Sequence, residues 1–136
     1  MTKRLIALSL AAAAGLPLAA VAALAACAAE TDTTAEIRAP AAAAVGEPVN
    51  CIQTSRISTT RVHDDYTIDF EMLDNTIYRN TLPIRCGGLG FEERFGYQTT
   101  IGQLCSTDTI TVLRSGGING PTCGLGQFVP VRLTGS

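Results

Sequence analysis

Five cysteines, one histidine and two adjacent acidic pairs are the residues of this 136-residue chain whose types could do chemistry. His63 stands in "RVHDDY", just ahead of Asp64 and Asp65. That composition suggests a metal site or a general acid–base pair. The spacing opposes both, because consecutive side chains of an extended chain point to opposite faces and cannot converge. Asp64 and Asp65 are expected to turn the chain between two strands, with His63 solvated. Glu92 and Glu93 diverge in the same way, whereas paired-carboxylate catalysis needs two groups facing one cleft. The stretches "GGLG" (87–90) and "SGGINGPTCGLG" (115–126) lack the Lys-Ser/Thr pair and the helix of a phosphate loop, so turns are expected there. No G-x-S-x-G elbow presents a serine nucleophile. No catalytic residue, metal site or cofactor is expected.

The cysteines are used differently. Cys51, Cys86, Cys105 and Cys123 are spaced by 35, 19 and 18 positions with no C-x-x-C knuckle, which is disulfide spacing rather than zinc spacing. Their connectivity is one of three possibilities, which spacing hardly separates. Cys27 is then the odd one out, and its surroundings say why. Lys3 and Arg4 precede an apolar run, residues 5–26, of which half is Ala. A positive start followed by an apolar stretch predicts a helical signal peptide over 1–26. Gly15 and Pro17 interrupt the run and no basic cluster follows it, so a permanent membrane span is not expected. Leu24-Ala25-Ala26-Cys27 resembles the lipobox of bacterial lipoproteins, in which the Cys thiol is lipidated and the signal is cut just before it. Ordinary cleavage near Ala23-Leu24-Ala25 would instead release the protein into the periplasm.

From Cys27 onward the chain has eight Arg, no Lys and twelve acidic residues, a net charge of −4. Nucleic acid calls for a basic stripe, so no nucleic-acid partner is expected. Membrane attachment must come from the lipid on Cys27, since no polybasic segment assists it. Ala28 and Ala29 after the cysteine fit the outer-membrane lipoprotein pattern.

The elements that must position these residues start late. Residues 27–48 are rich in Ala, Thr, Glu and Pro with almost nothing to bury, and are expected to form a disordered tether. From Val49 to Ser136 the composition turns to Thr, Ile, Val, Tyr and Phe punctuated by Gly, which predicts one small β domain. "TIDFEM" (67–72) alternates Ile68, Phe70 and Met72 with polar residues, "LDNT" (73–76) turns, and "IYRNTL" (77–82) returns. "CIQTSRIST" reads as a further strand, as do "DTITVL" and "GQFVPVRL", with Pro130 marking an edge or a strand end. Phe91 and Phe95 are spaced for one helical turn. The expected fold is all-β and mainly antiparallel, a five- to six-stranded barrel or sandwich braced by two disulfides. With no Trp, its core is small and benefits from such bridges.

The stretch from Cys51 to Val131 resembles an uncharacterised family of small exported proteobacterial proteins, a domain of unknown function. Cys51-Ile52, Asp64-Asp65, Tyr78-Arg79-Asn80-Thr81-Leu82, Cys86, Gly88-Leu89-Gly90-Phe91, Cys105, Cys123 and Phe128 carry the resemblance. It implies export and a compact domain, and it supplies no activity. By analogy with two-cysteine members it favours the pairing Cys51–Cys105 and Cys86–Cys123. Tyr78, Arg79, Arg85 and Arg94 form a candidate binding surface, because Arg and Tyr are residues that interfaces favour. The expected role is a non-enzymatic binding or structural module whose partner is an envelope protein or the cell wall. Inhibition of a secreted hydrolase such as lysozyme is the alternative, by analogy at the level of fold alone.

Overall fold

A computed structural model describes residues 38–135 together with Gly15. Residues 38–135 lie in the unit spanning Thr31–Ser136. The signal region, Cys27 and the first part of the expected tether lie outside the described residues. The strands are β1 (Ala42–Ala44), β2 (Cys51–Gln53), β3 (Ile57–Val62), β4 (Thr67–Met72) and β5 (Ile77–Thr81), then β6 (Phe95–Tyr97), β7 (Gln103–Cys105), β8 (Thr109–Leu113), β9 (Asn119–Gly124) and β10 (Phe128–Leu133). One helical turn, α1 (Leu89–Glu92), interrupts them.

The β4–β5 hairpin forms because alternation gives β4 a buried face of Ile68, Phe70 and Met72. The loop 73–75 closes it, with Asn75 at φ 66° and its N–H donating to Met72 O. Phe70 pairs with Tyr78 and Asp69 with Arg79, which fixes the register. The full sheet runs β1-β10-β5-β4-β3; β2 pairs with β7, and β6-β8-β9 form a third sheet. Every pairing is antiparallel. The three sheets share one core that includes Ile52, Phe70, Leu89, Leu104, Val112 and Phe128. Phe70 sits edge-on to both Phe95 and Phe128, at centroid distances of 6.1 and 5.4 Å. The all-β expectation holds in this fold. A barrel does not form, since the pairing is divided among three short sheets and none closes.

Several sequence expectations are corrected in detail. "CIQTSRIST" is two strands, because a 3-10 turn at Thr54–Arg56 redirects the chain from the β7 partner to the β4 partner. Phe91 and Phe95 do not share a helix; α1 ends after one turn and Phe95 enters β6. Pro130 lies inside a sheet, between β1 and β5. Alternation puts its missing N–H on the side where Phe128 N donates to Val49 O, so the ladder to β5 loses nothing.

The largest correction concerns the tether, whose residues 38–48 are part of the fold. β1 pairs with β10 from Ala42↔Leu133 to Ala44↔Val131, and Val45 N donates to Pro130 O. The sequence offers little apolar area here, so this segment is held by backbone hydrogen bonds and by charge.

Candidate functional site

His63, Asp64, Asp69 and Arg79 gather at one part of the large sheet, where residues 38–40 bond to Asp64 and Arg79. Because Ile68, Phe70 and Met72 face the core, Asp69 projects from the opposite face of β4, and register places it between Arg61 on β3 and Arg79 on β5. Arg79 grips it twice, Nε to Oδ1 at 2.8 Å and Nη2 to Oδ2 at 2.9 Å. His63 Nε2 lies 2.8 Å from Oδ2. Arg79 Nη1 also donates to Pro40 O at 2.8 Å, tying the crossing segment down. Asp69 is 2% exposed. Burial alone raises its pKa, but the hydrogen bonds and charges of Arg79 and His63 outweigh that and hold the carboxyl below the usual carboxylate range. Through its bond with Asp69, the Arg79 guanidinium is raised in turn. His63 is therefore not the solvated residue expected from the sequence; its side chain is 16% exposed. A carboxylate held by three nitrogen donors is a cross-brace between strands.

Asp64 and Asp65 do turn the chain, and each does more. Asp64, 1% exposed, accepts from Tyr66 N at 2.8 Å through Oδ1 and from Arg38 N at 2.9 Å and Ala39 N at 3.3 Å through Oδ2. Asp65 Oδ1 accepts from Gly90 N at 2.8 Å, and its Oδ2 meets Arg85 Nε at 3.0 Å and Nη2 at 2.9 Å. Its carbonyl accepts from Cys86 N. The two neighbours stand in a bend, not a strand, and through separate partners they hold two different segments against the hairpin.

Between them lies a cleft of about 360 Å³ lined by Arg38, Asp64, Asp65, Arg85, Gly88, Gly90 and Phe91. Arg38 Nη2 donates to Gly90 O at 2.9 Å across it. Gly90 is required by close approach: an added Cβ would stand 2.8 Å from Asp64 Cα. Leu89 anchors α1 in the core while Phe91, two residues on, is 85% exposed. The Cys86–Cys123 disulfide fixes the base of this loop to β9, and Cys51–Cys105 joins β2 to β7. Among the described residues no trio of His, Cys, Asp or Glu is arranged to hold a metal ion.

The four residues of the expected binding surface are not brought together. Tyr78 and Arg79 are neighbours on a strand, so Tyr78 packs toward the core while Arg79 is committed to Asp69 on the other face. Arg85 lines the cleft. Arg94 belongs to a separate exposed cluster with Ser115 and Glu92. What sequence reasoning missed is Asp69 as a hub and Phe91 as a projecting ring. The hub was readable only from register, while Phe91 carried the apolar signal of a core residue.

Fold and site together define a small antiparallel β protein, braced by two disulfides and therefore suited to an oxidising compartment outside the cytoplasm. Among the described residues no helix is long and apolar enough to cross a membrane. The chain belongs to the family of unknown function DUF6491, whose model matches residues 6–132. No curated protein and no solved structure matches it.

Proposed function

We propose that this chain is a bacterial envelope lipoprotein, anchored through a lipid on Cys27, that works as a non-enzymatic binding module and docks an envelope protein through the Phe91 loop. The observation that carries the reading is the exposure of Phe91 on a turn that is otherwise fully pinned. Leu89 is buried beside it, Gly90 N is bonded to Asp65, and Cys86 is bridged to Cys123. A rigid, projecting aromatic ring loses little conformational freedom on burial, which is why such side chains dominate interface energetics. The polar groups nearby are already engaged in holding the loop. Among the described residues every buried side-chain nitrogen or oxygen has a hydrogen-bond partner. That supports a scaffold role for Asp64, Asp65 and Asp69 rather than turnover.

The test is a photo-crosslinking amino acid placed at position 91 in intact cells. A discrete protein adduct at 91, absent when the crosslinker stands at the exposed Ile118, is expected. Labelling at 118 and not at 91 would contradict docking through this loop. Full muramidase activity in the presence of the purified protein is also expected; inhibition would favour the hydrolase-inhibitor role instead.

A further inference from the structure

The outer face of the β6-β8-β9 sheet shares no lining residue with the Phe91 cleft, and its chemistry is different. Ile110 and Val112 of β8 are fully buried, so Thr109, Thr111 and Leu113 must face outward. Register places Gly96 beside Thr111, and Thr111 beside Thr122. The Thr111 and Thr122 hydroxyls lie 3.1 Å apart, which fixes the Thr111 side chain on this face. A groove of about 430 Å³ runs here, lined by Gly96, Tyr97, Gln98, Thr109, Thr111, Leu113 and Asn119. That volume lies within the range of small-molecule sites, about 300–1,000 Å³.

Gly96 is the informative position. A glycine inside a strand costs stability relative to Ala, so it calls for a local reason. Its backbone supplies none, since Gly96 is not among the residues of positive φ. Packing supplies none either: an added Cβ would meet only Leu113 Cδ atoms at 3.8 and 3.9 Å, ordinary contact distances. The missing side chain does leave the groove floor open beside Thr111. Close approach of another molecule is the use that remains for a bare strand position.

The lining tells what that molecule is. None of these seven residues is charged, so an ionic ligand would find no counter-charge. A purely apolar ligand would cover the Gln98 and Asn119 amides and the Thr109 hydroxyl without offering them partners. Amides and hydroxyls both donate and accept, which is what the hydroxyl groups of a sugar ring require. Leu113, 39% exposed, offers an apolar wall for the C–H face of such a ring. We infer that this groove binds a neutral saccharide, with Gly96 providing the floor and Thr109, Thr111, Gln98 and Asn119 the polar contacts. The inference stands apart from docking at Phe91.

Titrating the full-length purified protein in detergent with two probes tests it by NMR: a β-linked N-acetylglucosamine trisaccharide and a neutral glucose trisaccharide. Millimolar additions of at least one are expected to shift the amide signals of Gly96, Thr109, Thr111 and Asn119. Gly96→Ala is expected to keep the thermal midpoint or raise it while weakening binding by about tenfold or more. Phe91→Ala is expected to leave saccharide binding unchanged. Absence of shifts with both sugars, shifts centred elsewhere, or full binding by Gly96→Ala would overturn the proposal. A short neutral peptide perturbing the β6 edge where both sugars fail would replace it with strand addition. Should Gly96→Ala fail to fold, Asn119→Ala and Gln98→Ala read the same contacts.

Discussion

At the scale of single residues, the large sheet depends on one carboxylate. Asp69 satisfies Arg79 and His63 at once while almost wholly buried. Replacing it by Asn keeps the shape but leaves the Arg79 charge poorly matched, so Asp69→Asn should cost about 2–3 kcal/mol in urea unfolding. The pH dependence has a definite sign. The folded pKa of Asp69 is depressed. Its stabilising contribution is therefore complete above the unfolded value of about 3.9 and disappears as pH falls through the lower folded value. The gap between wild type and Asp69→Asn should narrow on acidification through that range; a gap that widens would contradict this role. Gly90→Ala, which drives a methyl group into the Asp64 backbone, should destabilise clearly, whereas Gly87→Ala meets nothing within 4 Å and should be tolerated. The sequence disclosed this layer only partly. Alternation does not govern Asp64 and Asp65, which stand in a bend and line one cleft with separate hydrogen-bond partners. Where each carboxylate lands depends on residues 26 positions away for Asp64 with Arg38 and ten for Asp69 with Arg79, which no local pattern encodes.

At the scale of elements, the hairpin was legible and the N-terminal strand was not. β4 announces itself because Ile68, Phe70 and Met72 share one face, and the turn because Asn75 readily takes positive φ. β1 is three alanines, which give neither alternation nor apolar area, and it is ordered by what it bonds to. Asp64→Ala removes the carboxylate that accepts from Arg38 N and Ala39 N. Hydrogen exchange at Arg38, Ala39 and the β1 amides should then quicken well before that of β4 and β5. Equal change everywhere would mean that the segment is no separate unit. The Phe91 loop depends on its bridge in the same way. The Cys86–Cys123 disulfide closes a separation of 37 residues, so the double Ser variant should lose about 4 kcal/mol in the chain-entropy model. Proteolysis should then cut first near α1.

At the scale of the whole molecule, three short sheets on one core amount to a structure that relies on covalent bracing. The even set of four cysteines was readable from counting once Cys27 was given another use. Their pairing was not, because it depends on which strands become neighbours; Cys51 and Cys105 face one another in register across β2 and β7. Folding of residues 38–48 also shortens the proposed tether. Only ten positions, 28–37, separate Cys27 from Arg38. Intact-mass measurement of protein extracted from cell envelopes tests the account most directly. A chain beginning at Cys27, heavier by its acyl groups and lacking four hydrogens for two disulfides, is the expected result. A chain that begins at another residue without lipid, or one carrying four free thiols, would contradict it.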